Sequence, residues 1–252
     1  MIIAIANQKG GVGKTTITVH LAVYLARKKR RVVVIDGDPQ GNASSWLLDG
    51  DTTQAGMFNL LVVGTPAASL ARPVNGWDMR LLPGNSRTGE AFIFLTATAK
   101  PFDTVAQMIR PLAATADYTL IDMPPSKGAG FREMLFAADD VLVPTQLERL
   151  SLEGVAFMAQ TTKELQAQHG RAPRLLGIIP NMTRRATVEH KQQMAELVKA
   201  FGPTVWPPIP LSIKVAEACS YGKNLFDFAP YERVTTALGV IGQRLIQNTK
   251  AA

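Results

Sequence analysis

A doubly wound, mostly parallel α/β sheet flanked by helices is the fold this sequence predicts. Short apolar runs recur along the 252 residues, each followed by a turn marked by glycine or proline and then by a helical pattern. Several runs are apolar throughout instead of alternating, as parallel strands covered on both faces require. The first run enters a glycine-rich loop that opens a helix, which is how a βα turn cradles an anion.

The runs are Ile2–Ala6, Val32–Ile35, Met79–Leu82, Tyr118–Ile121, Val141–Val143 and Leu175–Ile179. Between them, Thr15–Lys28 places Ile17, Leu21 and Leu25 on one face of a predicted helix. It ends in Arg27-Lys28-Lys29-Arg30-Arg31, read as structural because cations complement the negative end of a helix. Ser151–Gln168 repeats the pattern with Leu152, Val155, Ala159, Thr162 and Leu165, and Thr187–Phe201 keeps its charges mostly off the apolar stripe. No repeat, low-complexity tract or Pro/Ser linker interrupts the series, so residues 1–252 read as a single domain. In such sheets ligands gather at the carboxyl ends of the strands, and the chemistry is expected just after each run.

The bulk composition narrows the class. With 46% apolar and 19% charged residues, the chain suits a globular protein with a proper core. No apolar run approaches the ~20 residues that cross a bilayer. Residues 1–13 lack the charged-then-apolar layout of a signal peptide, so a cytoplasmic setting is expected. One cysteine, Cys219, excludes an intrachain disulfide and any cluster site built by one chain; it reads as a small, half-buried residue. The formal net charge of +7 suits a polyanionic partner, although basic enzymes that bind only small anions share it.

Three strand ends carry the residues of a Mg²⁺-nucleotide site. The first is Lys9-Gly10-Gly11-Val12-Gly13-Lys14-Thr15-Thr16. Its glycines let backbone N–H groups turn around an anion, Lys14 would lie against β- and γ-phosphates, and the Thr15 hydroxyl would coordinate Mg²⁺. The second, Asp36-Gly-Asp38-Pro-Gln-Gly-Asn42, sets two carboxylates in a turn. The third, Tyr-Thr-Leu-Ile-Asp122-Met-Pro-Pro, has the form of a Walker B strand whose carboxylate holds magnesium. Each feature alone is also an ordinary turn or helix cap; all three at strand ends in this order point to one site.

The loop departs from G-x-x-x-x-G-K-[ST] by carrying Gln8 where a glycine is usual and by adding Lys9 five positions before Lys14. Lys14 already occupies the in-loop position. Lys9 leaves on the outer side, and a long mobile ammonium there can reach a phosphate held by another subunit. Such a charge stabilises a loose phosphoryl-transfer transition state as an arginine finger does. The plain alternative is a solvated lysine beside a loop.

At these residues the chain resembles the deviant Walker A ATPases of the ParA/Soj and MinD group, and most closely the ParA partition ATPases. The segments 143–154, Val-Pro-Thr-Gln-Leu-Glu-Arg-Leu-Ser-Leu-Glu-Gly, and 209–223, Ile-Pro-Leu-Ser-Ile-Lys-Val-Ala-Glu-Ala-Cys-Ser-Tyr-Gly-Lys, extend the likeness over almost the whole chain. The resemblance implies an ATP-dependent sandwich dimer. It implies that Lys9 acts across the interface, that Lys14 binds ATP, and that Thr15, Asp38 and Asp122 serve magnesium with Thr16 beside the phosphates. Asp38 would be the switch carboxylate that positions water, Glu148 a cross-subunit contact, and Pro208, Ile209 and Pro210 an adenine edge. It further implies non-specific DNA binding by the dimer, nucleoid association, and a ParB-like or other cargo adaptor that stimulates hydrolysis. Plasmid, chromosome and protein-assembly positioning are equally compatible. Cys219 stands where many members have proline, and Ile2 begins the first strand without room for an N-terminal helix-turn-helix, so a short form is expected.

For DNA the expected contacts are Arg184 and Arg185 at the start of a helix, then Lys214 and Lys223; individually each also reads as a solvated helix face. Three rivals stand beside this reading. A MinD-like membrane positioner needs a strongly amphipathic terminal helix, and the end of this chain reads as a last domain helix, so no membrane partner is expected. An iron–sulfur carrier conflicts with the single cysteine. An ATP-dependent ligase gives no reason for Lys9 or the basic excess.

Overall fold

The computed structural model describes residues 1–51, 53–98, 100–148, 151–184 and 188–250. Its strands are β1 (Ile2–Ile5), β2 (Val32–Asp36), β3 (Arg72–Pro73), β4 (Met79–Leu82), β5 (Tyr118–Asp122), β6 (Asp140–Gln146) and β7 (Arg174–Asn181). They form one seven-stranded sheet in the order β3-β4-β2-β5-β1-β6-β7. Every neighbouring pair is parallel except β3 with β4, where Arg72 and Pro73 run antiparallel. β3 is an exposed two-residue edge with no apolar run, and the sequence pattern passes over it.

The helices are α1 (Lys14–Arg27), α2 (Asn42–Leu47), α3 (Ala67–Leu70), α4 (Arg87–Ala97), α5 (Thr104–Ala113), α6 (Ala129–Ala137), α7 (Ser151–His169), α8 (Val188–Phe201), α9 (Lys214–Ser220), α10 (Leu225–Phe228) and α11 (Arg233–Lys250). Because successive strand residues face opposite ways, the sheet feeds two cores. Ile2, Ala4, Val33 and Ile35 join residues of α4 to α8 on one face; Ile3, Ile5, Val32 and Val34 join residues of α1, α2 and α9 to α11 on the other. That double coverage explains why the central runs are apolar throughout.

Some details differ from the sequence reading. α8 is described from Val188, and the expected start at Thr187 lies outside the described residues, as does Arg185. The buried side of α7 includes Met158 and Thr161, with Ala159 and Thr162 only half-buried, so the stripe is rotated from the expected one. Cys219 is exposed instead of half-buried, because α9 turns that position outward. The cluster ending α1 is engaged within the chain: Arg27 pairs with Asp227 at 3.2 Å, Arg31 with Asp117 at 2.9 Å, and Lys28 lies over the Tyr24 ring.

α11 spends its apolar face on this domain. Val234, Leu238, Ile241 and Leu245 are buried, and Gly242 admits the Tyr24 ring of α1, which a Cβ would meet at 2.3 Å. Among the described residues no helix is long and apolar enough to cross a membrane.

Candidate nucleotide site

β1 lies between β5 and β6, so the chain leaves it toward β2 on one side and crosses to β6 on the other. A crevice opens at this reversal of strand order. The loop after β1 fills it. Gly11 and Gly13 adopt positive φ angles of 72° and 92°, which L side chains resist. A Cβ on Gly13 would also stand 2.2 Å from the Asn181 side-chain nitrogen, so only glycine fits there. Gly10 and Gly11 are exposed, whereas Val12 is buried and anchors the loop.

Polar residues at the ends of three strands hold this loop. Asn7, after β1, donates its amide to Pro144 O at 2.7 Å and accepts the Lys9 N–H at 3.0 Å. Asn181, closing β7, donates to Val12 O at 2.8 Å, and Gln146, closing β6, donates to Gly11 O at 3.2 Å. α1 then begins on Gly13 with no side-chain cap and no acidic residue in its first turn. Its first backbone N–H groups therefore face the loop without a competing anion.

Lys14 is only 6% exposed and donates Nζ–H to Lys9 O at 3.1 Å. Burial lowers its pKa, while the charges of Asp122 and Asp38 oppose that shift. Beneath it, Thr15 donates its hydroxyl to Asp122 Oδ2 at 2.7 Å, and Thr18 donates to Asp122 Oδ1 at 3.3 Å. Asp36 and Asp122 occupy the same register on neighbouring strands, and both are fully buried. Asp36 closes β2 and so lies ahead of the turn, which leaves Asp38 as the turn's carboxylate. Burial is the main reason both pKa values rise: Asp36 is pushed up to about 6, and Asp122 rises well above the usual range with help from the Asp36 charge.

A Mg²⁺-nucleotide fits this chemistry. The loop presents uncapped N–H groups and a buried ammonium, and Thr15 with Asp122 supplies hard oxygen donors. Among the described residues no cluster of three His, Cys, Asp or Glu side chains could cage a metal. Magnesium needs no such cage, since it is usually held by one or two protein oxygens, water and phosphate.

Lys9 and Glu148, both expected to reach a second subunit, meet each other within one chain at 2.5 Å, with side chains 40% and 53% exposed. Ile209 and Pro210 line a small cavity with Thr16, Ile17, Asn181 and Met182, beside the start of α1; Pro208 is exposed and outside that lining. Ile209 is fixed from both sides, its N–H donating to Pro180 O at 2.8 Å and its carbonyl accepting the Thr183 N–H at 3.0 Å. The expected DNA contacts are more dispersed. Arg184 is exposed in the loop after β7, ahead of α8. Its neighbour Thr183 accepts the Leu211 N–H, which places Arg184 near the approach to Lys214. Lys214 is paired with Glu217 at 2.7 Å, and Lys223 is exposed. The sequence reading missed Asn7, Gln146 and Asn181 as loop holders; their common signal is a polar residue ending, or just past, an apolar run.

A family model described as "AAA domain" matches residues 1–174. The "Chromosome-partitioning ATPase Soj" of Thermus thermophilus is 40% identical over 229 residues, 90% of this chain and 88% of that protein. Among solved structures, apo McdA from Cyanothece superposes with a TM-score of 0.87 at 20% identity, covering 97% of this chain and 98% of that one. Cobyrinic acid a,c-diamide synthase from Mycobacterium smegmatis, with bound ADP and magnesium, gives 0.85 at 26% identity over 99% and 95%. Fold and site together define a P-loop ATPase of the deviant, two-lysine type. Within that class the chain belongs to the ParA/Soj-type ATPase family.

Proposed function

We propose that the protein hydrolyses ATP to ADP and phosphate with Mg²⁺ in a sandwich homodimer that binds DNA without sequence preference. In this reading it is cytoplasmic and nucleoid-associated, and it positions a plasmid, chromosome or protein assembly whose ParB-like or other adaptor stimulates turnover. The observation that carries the reading is the second lysine: Lys14 is already buried in the loop, and Lys9 stands outside it on an exposed ion pair.

Bound Mg-ATP would supply an electrophilic γ-phosphate and a divalent charge on its oxygens. Lys14 neutralises the β- and γ-phosphates, while Thr15 and Asp122 serve the metal, Asp122 through water. Asp38 orients the attacking water. Thr16 stands beside the phosphates, and Ile209 and Pro210 border the base end of the nucleotide, with exposed Pro208 at its outer edge. Lys9 of a second copy reaches the γ-phosphate after leaving its own Glu148. An exposed pair of this kind contributes only about 0–1 kcal/mol, so exchanging partners costs little. Glu148 then contacts the opposite subunit. The Soj likeness supports the positioning role, and the ADP- and magnesium-bound neighbour supports the nucleotide. Arg184, Arg185, Lys214 and Lys223 are the proposed DNA contacts, the Lys214–Glu217 pair opening to phosphate.

The likeness to cobyrinic acid a,c-diamide synthase favours a second reading, an ATP-dependent ligase. A membrane positioner is disfavoured by the buried apolar face of α11. Lys9→Ala decides between the first two. ATP binding by the monomer is retained and turnover falls to background in the dimer reading; turnover at the wild-type rate, unresponsive to DNA, favours the ligase.

A further inference from the structure

The turn that carries Asp38 is closed on a single buried carboxylate. Asp36 Oδ1 accepts the Asp38 N–H at 3.1 Å. Asp36 Oδ2 accepts both the N–H of Ser44 at 2.8 Å and its hydroxyl at 2.7 Å. The entrance and the exit of the turn are thereby fastened to the same group.

The Ser44 hydroxyl also faces the other way. Its oxygen accepts the Gly84 N–H at 2.9 Å, which joins the loop after β4 to the turn. That loop comes unusually close. A Cβ on Gly84 would stand 2.3 Å from Asp36 O, and one on Gly41 would stand 2.8 Å from Gly84 O. Ser44 itself is fully buried on α2. One hydroxyl therefore links the end of β2, the first turn of α2 and the loop after β4, and Asp38 hangs between two of those anchors.

We propose that Ser44 is a positioning residue for ATP hydrolysis, acting through Asp36 to fix the Asp38 carboxylate without touching nucleotide. The inference rests on the reading of Asp38 as the residue that orients water. Replacing Ser44 by alanine takes a donor from Asp36 and the acceptor from the Gly84 N–H, so the turn gains freedom while the loop, Lys14 and Thr15 keep their own bonds. A displacement of about 1 Å at such a group lowers rate by up to about 100-fold.

The test uses the full chain as wild type, Ser44→Ala, Ser44→Thr and Asp38→Ala, with Mg-ATP binding, single-turnover hydrolysis and melting measured for each, turnover being read well below every melting temperature. The expected result for Ser44→Ala is a ten- to hundred-fold lower rate with ATP affinity within about twofold of wild type, since one positioning bond and not a nucleotide contact is lost. Ser44→Thr, which keeps the hydroxyl, is expected to recover most of the rate; if its added methyl lowers the melting temperature, the rate-against-affinity split in Ser44→Ala decides alone. A Ser44→Ala rate within twofold of wild type beside an inactive Asp38→Ala overturns the inference and leaves the Asp38 reading standing. An affinity loss that matches the rate loss overturns it as well. Wild-type turnover by Asp38→Ala overturns the Asp38 reading and the inference with it.

Discussion

The floor of the phosphate crevice and the basic rim beside it follow opposite rules. On the floor, Lys14 and Asp38 are each 6% exposed and Asp36 and Asp122 are fully buried, and each is hydrogen-bonded to its neighbours. On the rim, Arg184 and Lys223 are exposed, and Lys214 is held by a neighbour three residues along its own helix. A buried charge must be paired to persist, so burial dictates position. An exposed one is placed by local chain geometry and is cheap to redirect. In the proposed function the floor is the part prearranged for one ligand, and the rim the part that meets an extended polyanion whose sequence does not matter.

The sharpest way to break this contrast is at Lys14. Lys14→Ala removes the buried ammonium facing Asp122, and ATP affinity is expected to fall by at least about a thousandfold in calorimetry, roughly 4 kcal/mol. Affinity within threefold of wild type would mean that the floor is not the phosphate site.

The second way lies where floor and rim join. His20 of α1 is fully buried, and burial lowers its pKa to about 4. The Leu225 N–H can only donate, so His20 Nε2 accepts it at 3.0 Å and Nδ1 carries the proton given to Thr16 O at 2.7 Å. Nearby, Trp46 donates Nε1–H to Lys223 O at 3.0 Å. The folded state thus refuses a proton that the unfolded chain takes up below pH 6.5. The contribution of His20 to stability is complete above that value and declines as pH falls from 6.5 toward 4, by about 3 kcal/mol in all. Asp36 and Asp122, whose raised pKa values favour the folded state as pH falls, oppose this contribution, so it is read as a difference: in urea unfolding at pH 7 and pH 5, wild type should lose more stability, or gain less, on acidification than His20→Gln. An unchanged slope in the variant would assign the acid sensitivity elsewhere.

The smallest effect is expected on the rim. Arg184→Ala with Arg185→Ala should lower ATP-dependent retention on random duplex by about tenfold and reduce the salt slope by roughly two, as two lost phosphate contacts require. Retention unchanged at low salt would move the DNA surface to another face.

How much of this was legible beforehand follows the same divide. β1, β2 and β4 to β7 each announce themselves as apolar runs, because each is covered on both faces. β3 is two exposed residues defined only by its partner β4, and no local pattern marks it. Lys14, Thr15 and Asp122 are readable from spacing, since phosphate and magnesium chemistry fixes which types stand where. Asn7, Gln146 and Asn181 carry the same signal, a polar residue at or just past an apolar strand end, but amides draw less attention there than carboxylates. The Lys9–Glu148 contact spans 139 positions and is set by how β6 lies against β1, which only the folded sheet reveals. Ser44 is another case: its bonds to Asp36 and Gly84 depend on two loops meeting.

The central claim is that Lys14 alone does not complete the charge at a chain's γ-phosphate and that Lys9 of a second copy supplies the rest. Sedimentation of Asp38→Ala with saturating Mg-ATP tests it most directly. A species of twice the chain mass that returns to a single chain when Lys9→Ala is added to the same variant is the predicted result. A strictly monomeric species at high protein concentration, with ATP bound, would contradict it.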